Sequence, residues 1–219
     1  MYLNFHTHFE SNSEDVTDFY NIDLKKGPAE FNKGCFRCLG IHPWDVKPEI
    51  IDRLDSFAFV LEQADVLCLG EIGLDRVTRK SDFNIQKEVF LFQLDIAAKR
   101  GDPFIVLHCV KAYNDILECV AKSKYRGKLV FHDYNGNQIV TKDLVSKGHY
   151  FSYGNMLFFP SSKGHKALKD IPIEKLFIET DEHKHFTIEQ AYEKVSELKN
   201  IDLPELSSRI FSNFKELQS

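Results

Sequence analysis

Two histidines near the start of the chain are the first residues that could do chemistry. His6 and His8 end an apolar, β-prone run over residues 1–8 and stand two positions apart. Side chains two apart on a strand share a face, so both imidazoles would point one way while Leu3 and Phe5 point the other. Two imidazoles aimed at one point can hold a metal ion, and the spacing therefore predicts that His6 and His8 are metal ligands.

Further side chains of the metal-ligand type follow later apolar runs. They are His42, Glu71, His108, His132 and Asp181. One strand-end histidine or aspartate by itself is usually a hydrogen-bonded polar group or a helix cap. Their recurrence at equivalent positions favours a shared site over a set of unrelated polar groups.

Apolar runs alternate with amphipathic segments along most of the chain. The runs lie at residues 1–5, 35–41, 66–69, 104–107, 128–131, 150–153 and 176–178, with a weaker one at 16–22. Residues 81–100 carry apolar side chains at helical spacing. Thr187 with Gln190 is typical of a capping box, and Pro204 opens a last helix.

This alternation predicts an α/β fold with a parallel sheet. Eight strands predict a compact (β/α)8 TIM barrel, abridged between strands 1 and 2 because few residues separate His8 from Val16. In that fold the active site lies where the strands end and the loops begin. The candidate ligands stand at such positions.

Composition limits the class of protein. The chain has 219 residues, of which 43% are hydrophobic, and predicts a single domain over residues 1–219. No apolar run is long enough to span a membrane, and polar residues interrupt the first one, so we expect a cytoplasmic protein with no membrane partner. The net charge of −5 lacks the basic footprint of proteins that grip duplex DNA, so nucleic-acid contact would be local and weak.

The candidate residues stand in six strings that follow one order. They are His6-Thr7-His8, Gly40-Ile41-His42-Pro43, Gly70-Glu71-Ile72-Gly73-Leu74-Asp75, the strand ends at His108 and His132, and Glu179-Thr180-Asp181. This set resembles the TatD family of metal-dependent deoxyribonucleases, a branch of the amidohydrolase-like TIM barrels. The resemblance runs the whole length of the chain.

The resemblance implies a centre of two divalent ions. It assigns one ion to His6, His8 and Asp181, the other to His108 and His132, and the bridge between them to Glu71. A mixed set of imidazoles and carboxylates suits magnesium, manganese or zinc. Two such ions can activate a water and clamp the attacking and leaving oxygens of a phosphodiester. Asp181 would be both ligand and general base, and Glu71 would be catalytic through its bridge.

Three strings depart from the family pattern. After His108 the usual arginine is missing, and Lys111 stands one place further on. A flexible ammonium replaces a planar guanidinium only in part. We expect Lys111 and His42 to contact substrate. Asp133 and Tyr134 follow His132, and a polar segment over residues 182–185 replaces the usual proline-bearing loop, with His183 and His185 either at a third metal or in solvent.

The predicted function is a divalent-metal-dependent hydrolase acting on phosphodiester bonds of DNA, with single strands cut from the 3′ end and bound weakly. The alternative is a two-metal amidohydrolase or lactonase that acts on a carbonyl. A metal-bound binding module without turnover is disfavoured, because Glu71 and Asp181 are both present.

Overall fold

The computed structural model describes residues 1–11, 13–22 and 35–219. The chain divides into two compact units. The first unit comprises Met1–Phe36 and Val130–Ser219, and the second comprises Arg37–Leu129. The single domain expected over residues 1–219 stays a prediction.

The described residues contain nine strands and seven α-helices. The strands are β1 (Tyr2–Thr7), β2 (Val16–Ile22), β3 (Phe36–Leu39), β4 (Cys68–Leu69), β5 (Ile72–Asp75), β6 (Phe104–Val110), β7 (Lys128–Phe131), β8 (Tyr150–Tyr153) and β9 (Leu176–Ile178). The helices are α1 (Leu54–Gln63), α2 (Phe83–Arg100), α3 (Tyr113–Lys122), α4 (Gln138–Ser146), α5 (Lys163–Ala167), α6 (Ile188–Lys199) and α7 (Leu203–Leu217).

In the first unit, parallel strands join the two ends of the chain. β1 pairs with β2 on one edge. Its other edge meets the residues after β9, where Thr7 forms a parallel bridge with Asp181. β9 pairs with β8, and β8 pairs with β7. The core beneath β1 is aromatic, because buried Phe5 stacks on Phe177 with ring centroids 4.1 Å apart.

In the second unit, two pairs of parallel strands carry the candidate residues. β3 pairs with β4, and β5 pairs with β6 so that Gly73 is opposite His108. α2 begins at Asp82, whose carboxylate accepts from the amides of Asn84 and Ile85, and ends at Gly101 in the left-handed conformation. Both ends therefore carry the caps that helices prefer.

Two strands extend further than the apolar runs predicted. β1 continues through His6 to Thr7, and β6 continues through His108 to Val110. These histidines therefore lie within strands rather than after them. The apolar pattern stopped short because an imidazole counts as polar, although His6 is fully buried here.

The run predicted as one strand over residues 66–69 is shorter, and a strand resumes after it. β4 covers Cys68–Leu69, and β5 covers Ile72–Asp75 after Gly70 and Glu71. The two glycines and the glutamate have the composition of a loop, which is why the second strand was missed. Its residues are nonetheless buried.

Other expectations are confirmed. The weak run at residues 16–22 forms β2. Residues 8–11 and 13–15, which lead from β1 to β2, contain no helix, as the abridged link predicts. Thr187 and Gln190 form the capping box of α6. Among the described residues, no helix is both long and apolar enough to cross a membrane.

Candidate metal centre

The first unit brings four predicted ligands together. His6, His132 and Asp181 offer ligand atoms that all lie within 4.8 Å of one another. Oδ1 of Asp181 lies 3.7 Å from Nε2 of His6 and 3.3 Å from Nε2 of His8. The predicted pair of imidazoles therefore does converge, and the carboxylate assigned to the same ion lies beside it.

The backbone of β1 positions this group. The amide of Asp181 donates to the carbonyl of His6 at 2.9 Å, and the amide of His8 donates to the carbonyl of Asp181 at 3.2 Å. Asp181 has a φ of 54°, in the left-handed region that side chains other than glycine seldom adopt. Such conformations concentrate at functional sites.

Exposure increases across the group. His6 is fully buried, whereas the side chains of Asp181 and His8 are 15% and 23% exposed. The group thus has a closed inner side formed by an imidazole and an outer side that solvent can reach. A carboxylate on the outer side can exchange protons with water.

Glu179 is a site residue for which no role was predicted from the sequence. Its buried carboxylate accepts from the amide of Asp133 at 2.7 Å, and the same oxygen lies 3.4 Å from Nδ1 of His132. A carboxylate at one ring nitrogen orients an imidazole that binds metal through the other. The sequence contains a signal for this role, because Glu179 is two residues before Asp181 and residues two apart on a strand share a face.

The second unit brings together Glu71, His108 and His42. Oε1 of Glu71 lies 2.7 Å from Nδ1 of His108 and 3.1 Å from Nε2 of His42. The two imidazole nitrogens are 3.2 Å apart. His42 thus occupies the position of a potential ligand, and its expected contact with substrate stays a prediction.

Glycines allow the strands to approach closely at this point. A Cβ atom on Gly73, which has a φ of 146°, would lie 2.0 Å from the carbonyl oxygen of His108. A Cβ on Gly70 would lie 2.7 Å from Cβ of Val106. The two glycines that flank Glu71 are therefore required by the contact between β6 and the segment that carries the carboxylate.

Asp75 is a second residue that lacked a predicted role. Its Oδ2 accepts from Nε1 of Trp44 at 2.7 Å and lies 3.5 Å from Nε2 of His108. Burial acts to raise the pKa of Asp75, but hydrogen bonds from His108, Trp44 and two backbone amides outweigh it and hold the pKa well below its usual range. The ionised carboxylate orients His108 and leaves Nδ1 as its ligating nitrogen.

Lys111 follows β6 directly. Its side chain is exposed, and its φ of 52° is again left-handed. The lysine is placed to meet ligands from solution. Its expected contact with phosphate stays a prediction.

Both donor sets are compatible with divalent metal ions. Each combines imidazole nitrogens with carboxylate oxygens that lie within reach of a common ion. Carboxylates suit magnesium and manganese, whereas imidazoles favour zinc and other transition metals. The residues present therefore fit the cofactor class expected from the sequence.

Comparisons with known proteins agree with this chemistry. The sequence matches the model of the TatD related DNases over residues 15–219. An uncharacterized metal-dependent hydrolase of Buchnera aphidicola is 30% identical over 236 residues, covering 99% of this chain and 88% of the relative. A protein of Citrobacter koseri named 3'-5' ssDNA/RNA exonuclease TatD is 30% identical over 152 residues, covering 67% of this chain and 57% of the relative.

A solved structure shares the fold. The crystal structure of YjjV, a TatD homologue from Escherichia coli K12, is similar with a TM-score of 0.82 at 20% identity, covering 99% of this chain and 97% of YjjV. This likeness confirms the predicted TIM-barrel-like α/β fold of parallel strands. The matched model and the Buchnera relative establish that the chain belongs to the TatD family of metal-dependent hydrolases.

Proposed function

We propose that this chain is a divalent-metal-dependent deoxyribonuclease that releases nucleotides from the 3′ end of single-stranded DNA. The observation that carries the proposal is a cluster of imidazoles and carboxylates in each unit, at the residues that the family pattern assigns to metal. The Citrobacter relative, named as a 3'-5' exonuclease on single strands, supports the polarity and the substrate.

The residues that would hold metal divide between the units. They are His6, His8, His132 and Asp181 in the first unit, and Glu71 and His108 in the second, with His42 as a further donor. Bound divalent ions would stabilise the negative charge that develops on a phosphodiester during hydrolysis. The assignment of Glu71 as the bridge between two ions stays a prediction from the family pattern.

Asp181 is the proposed general base. A carboxylate that is partly exposed can meet the attacking water and take its proton, and the imidazoles of His6 and His8 hold it in place. Glu179 and Asp75 are positioning residues, because each lies against a ring nitrogen of a proposed ligand. Their carboxylates keep the rings of His132 and His108 oriented.

DNA binding is proposed to be weak. The net charge is −5, and each phosphate that a protein neutralises adds to affinity and to salt dependence. Lys111 is the proposed phosphate contact, because it is exposed and follows the strand that carries His108. A duplex end would have to fray before one strand could enter, so single strands are the preferred substrate.

The test is nucleotide release from 5′-labelled single-stranded DNA by the purified chain in magnesium, manganese or zinc, with EDTA as the control. A product ladder that shortens from the 3′ end is expected. Lys111→Ala should slow release at limiting DNA without lowering metal content. Lys122→Ala, at the exposed end of α3, is the matched control and should leave the rate unchanged.

The same purified protein can be used to test the rival substrate class, a lactone or a cyclic amide. No nucleotide release with any of the three metals, together with hydrolysis of a lactone or cyclic amide, would replace the nuclease with a hydrolase that acts on a carbonyl. The metal assignments would survive that result, because both reactions use the same donor set.

A further inference from the structure

A second group of ligand-type side chains lies in the loops that follow β7 and β9 of the first unit. Asp133, Asp181 and His183 offer ligand atoms that all lie within 4.8 Å of one another. All three side chains are partly exposed. Asp181 belongs to the metal set described above, whereas Asp133 and His183 stand where this chain departs from the family strings.

We propose that Asp133, Asp181 and His183 form a further divalent cation site, separate from the ions that hydrolysis requires. Two carboxylates and one imidazole form a donor set that suits manganese or zinc better than calcium or magnesium. Asp181 would be shared with the site of His6 and His8. The other two donors are not used in the proposed hydrolysis.

The backbone fixes two of the donors in place. Asp133 has a φ of 35° and its amide donates to Oε1 of Glu179 at 2.7 Å. The amide of His183 donates to the carbonyl of Thr180 at 3.1 Å, so the imidazole is carried by the turn that contains Asp181. The backbone that carries these two side chains is thus held by hydrogen bonds.

Glu179 is a buried carboxylate in direct contact with Asp133, one of the three donors. Its side chain is fully buried, and its Oε2 has no hydrogen-bond partner among the residues that the structure describes. Its other oxygen lies against Asp133 and His132. A buried carboxylate with one unsatisfied oxygen is unfavourable, and a cation held beside Asp133 would lower the cost of its negative charge.

The site is expected to bind more weakly than the one around His6. Its three donors are partly exposed, so solvent competes for the ion, whereas His6 is fully buried. Three protein ligands also leave coordination positions that water or a phosphate group can fill. The occupant is therefore an exchangeable ion of the manganese class.

The test counts bound Mn²⁺ by equilibrium dialysis of the full chain, with free Mn²⁺ read by electron paramagnetic resonance. His183→Ala and Asp133→Asn should each weaken the binding of one Mn²⁺ ion that the wild type holds. In each variant that ion should bind more weakly by at least about tenfold, the scale on which changes around metal sites act. His185→Ala is the matched control, because His185 lies in the same loop and its Nε2 contacts Asn155.

Equal Mn²⁺ stoichiometry and affinity in the wild type and both variants would overturn the proposal. So would an equal loss in His185→Ala, since the effect would then belong to the loop as a whole. Circular dichroism and thermal unfolding confirm that each variant is folded, and Asp133→Asn keeps the size of the side chain. The assay contains no DNA, so its outcome is independent of whether the nuclease proposal holds.

Discussion

Nδ1 of His108 lies 2.7 Å from Oε1 of Glu71. At this distance the imidazole nitrogen and the carboxylate oxygen can be ligands of one metal ion. Both atoms would bind a metal ion only without a proton, so metal binding at this pair should weaken as the pH falls. Glu71 and His108 are therefore expected to act as one chemical unit.

Glu71→Ala should lower both metal content and hydrolysis. We expect activity to fall by more than about 100-fold, because changes outside the ligand shell already cost about 10- to 100-fold. Glu71→Asp should retain part of the activity, since the carboxylate remains but is shorter by a methylene. Elemental analysis and single-turnover rates measure the two effects. Near-normal turnover in Glu71→Ala would remove Glu71 from the mechanism.

The double variant His6→Ala with His8→Ala should bind less divalent metal while the chain stays folded. Both imidazoles lie within 4 Å of Asp181 Oδ1 and would be the main nitrogen donors to one ion. His185→Ala, in an exposed loop, serves as the control. Unchanged metal content in the double variant, measured by elemental analysis, would show that this pair does not ligate.

Asp181→Asn should separate ligation from proton transfer. The amide oxygen can still bind a metal ion but takes no proton, and general-base catalysis contributes about 100- to 10,000-fold. Activity should therefore fall far more than metal content. Parallel losses of metal and rate would make Asp181 a ligand only.

His149 should make stability depend on pH. Burial, helped by the charge of Lys147 and Lys175, lowers the pKa of His149 to about 4. An unfolded histidine has a pKa of about 6.5, so protons favour the unfolded chain as the pH falls between about 6.5 and 4. The stability linked to neutral His149 is present above that window and is lost on passing down through it.

His149→Gln removes this titration while other groups still titrate. The free energy of unfolding, from urea titrations at pH 7 and pH 4.5, should fall more for the wild type than for the variant. Equal losses in the two proteins would show that His149 is not held in its neutral form by the fold.

Local patterns in the sequence were enough to propose the candidate ligands. His6, His108 and Asp181 were found because a polar group at the end of an apolar run is visible in the sequence, and parity gives its face. Their grouping within each unit depends on which strands pair. The predicted fold class gave a reason to expect it, because in that fold the active site lies where the strands end.

Contacts between segments that are distant in the chain could not be predicted from the sequence. Glu179 and Asp75 stand in the quoted strings, yet their importance comes from hydrogen bonds to residues on other segments, such as the amide of Asp133 and the indole of Trp44. β5 was missed for a similar reason. In the sequence, a glycine such as Gly73 indicates a turn. Its place in a strand is explained by its close contact with His108, which only the structure shows.

The most direct test of the account is recovery of nuclease activity by the metal-stripped chain. The protein is treated with EDTA, dialysed and titrated with Mn²⁺, and nucleotide release from the 3′ end of labelled single-stranded DNA is followed in the wild type and in Glu71→Ala. We expect no release before Mn²⁺ is added, recovery in the wild type and none in Glu71→Ala. Equal release by the stripped chain, or equal recovery in the variant, would contradict a hydrolase whose activity depends on these metal ligands.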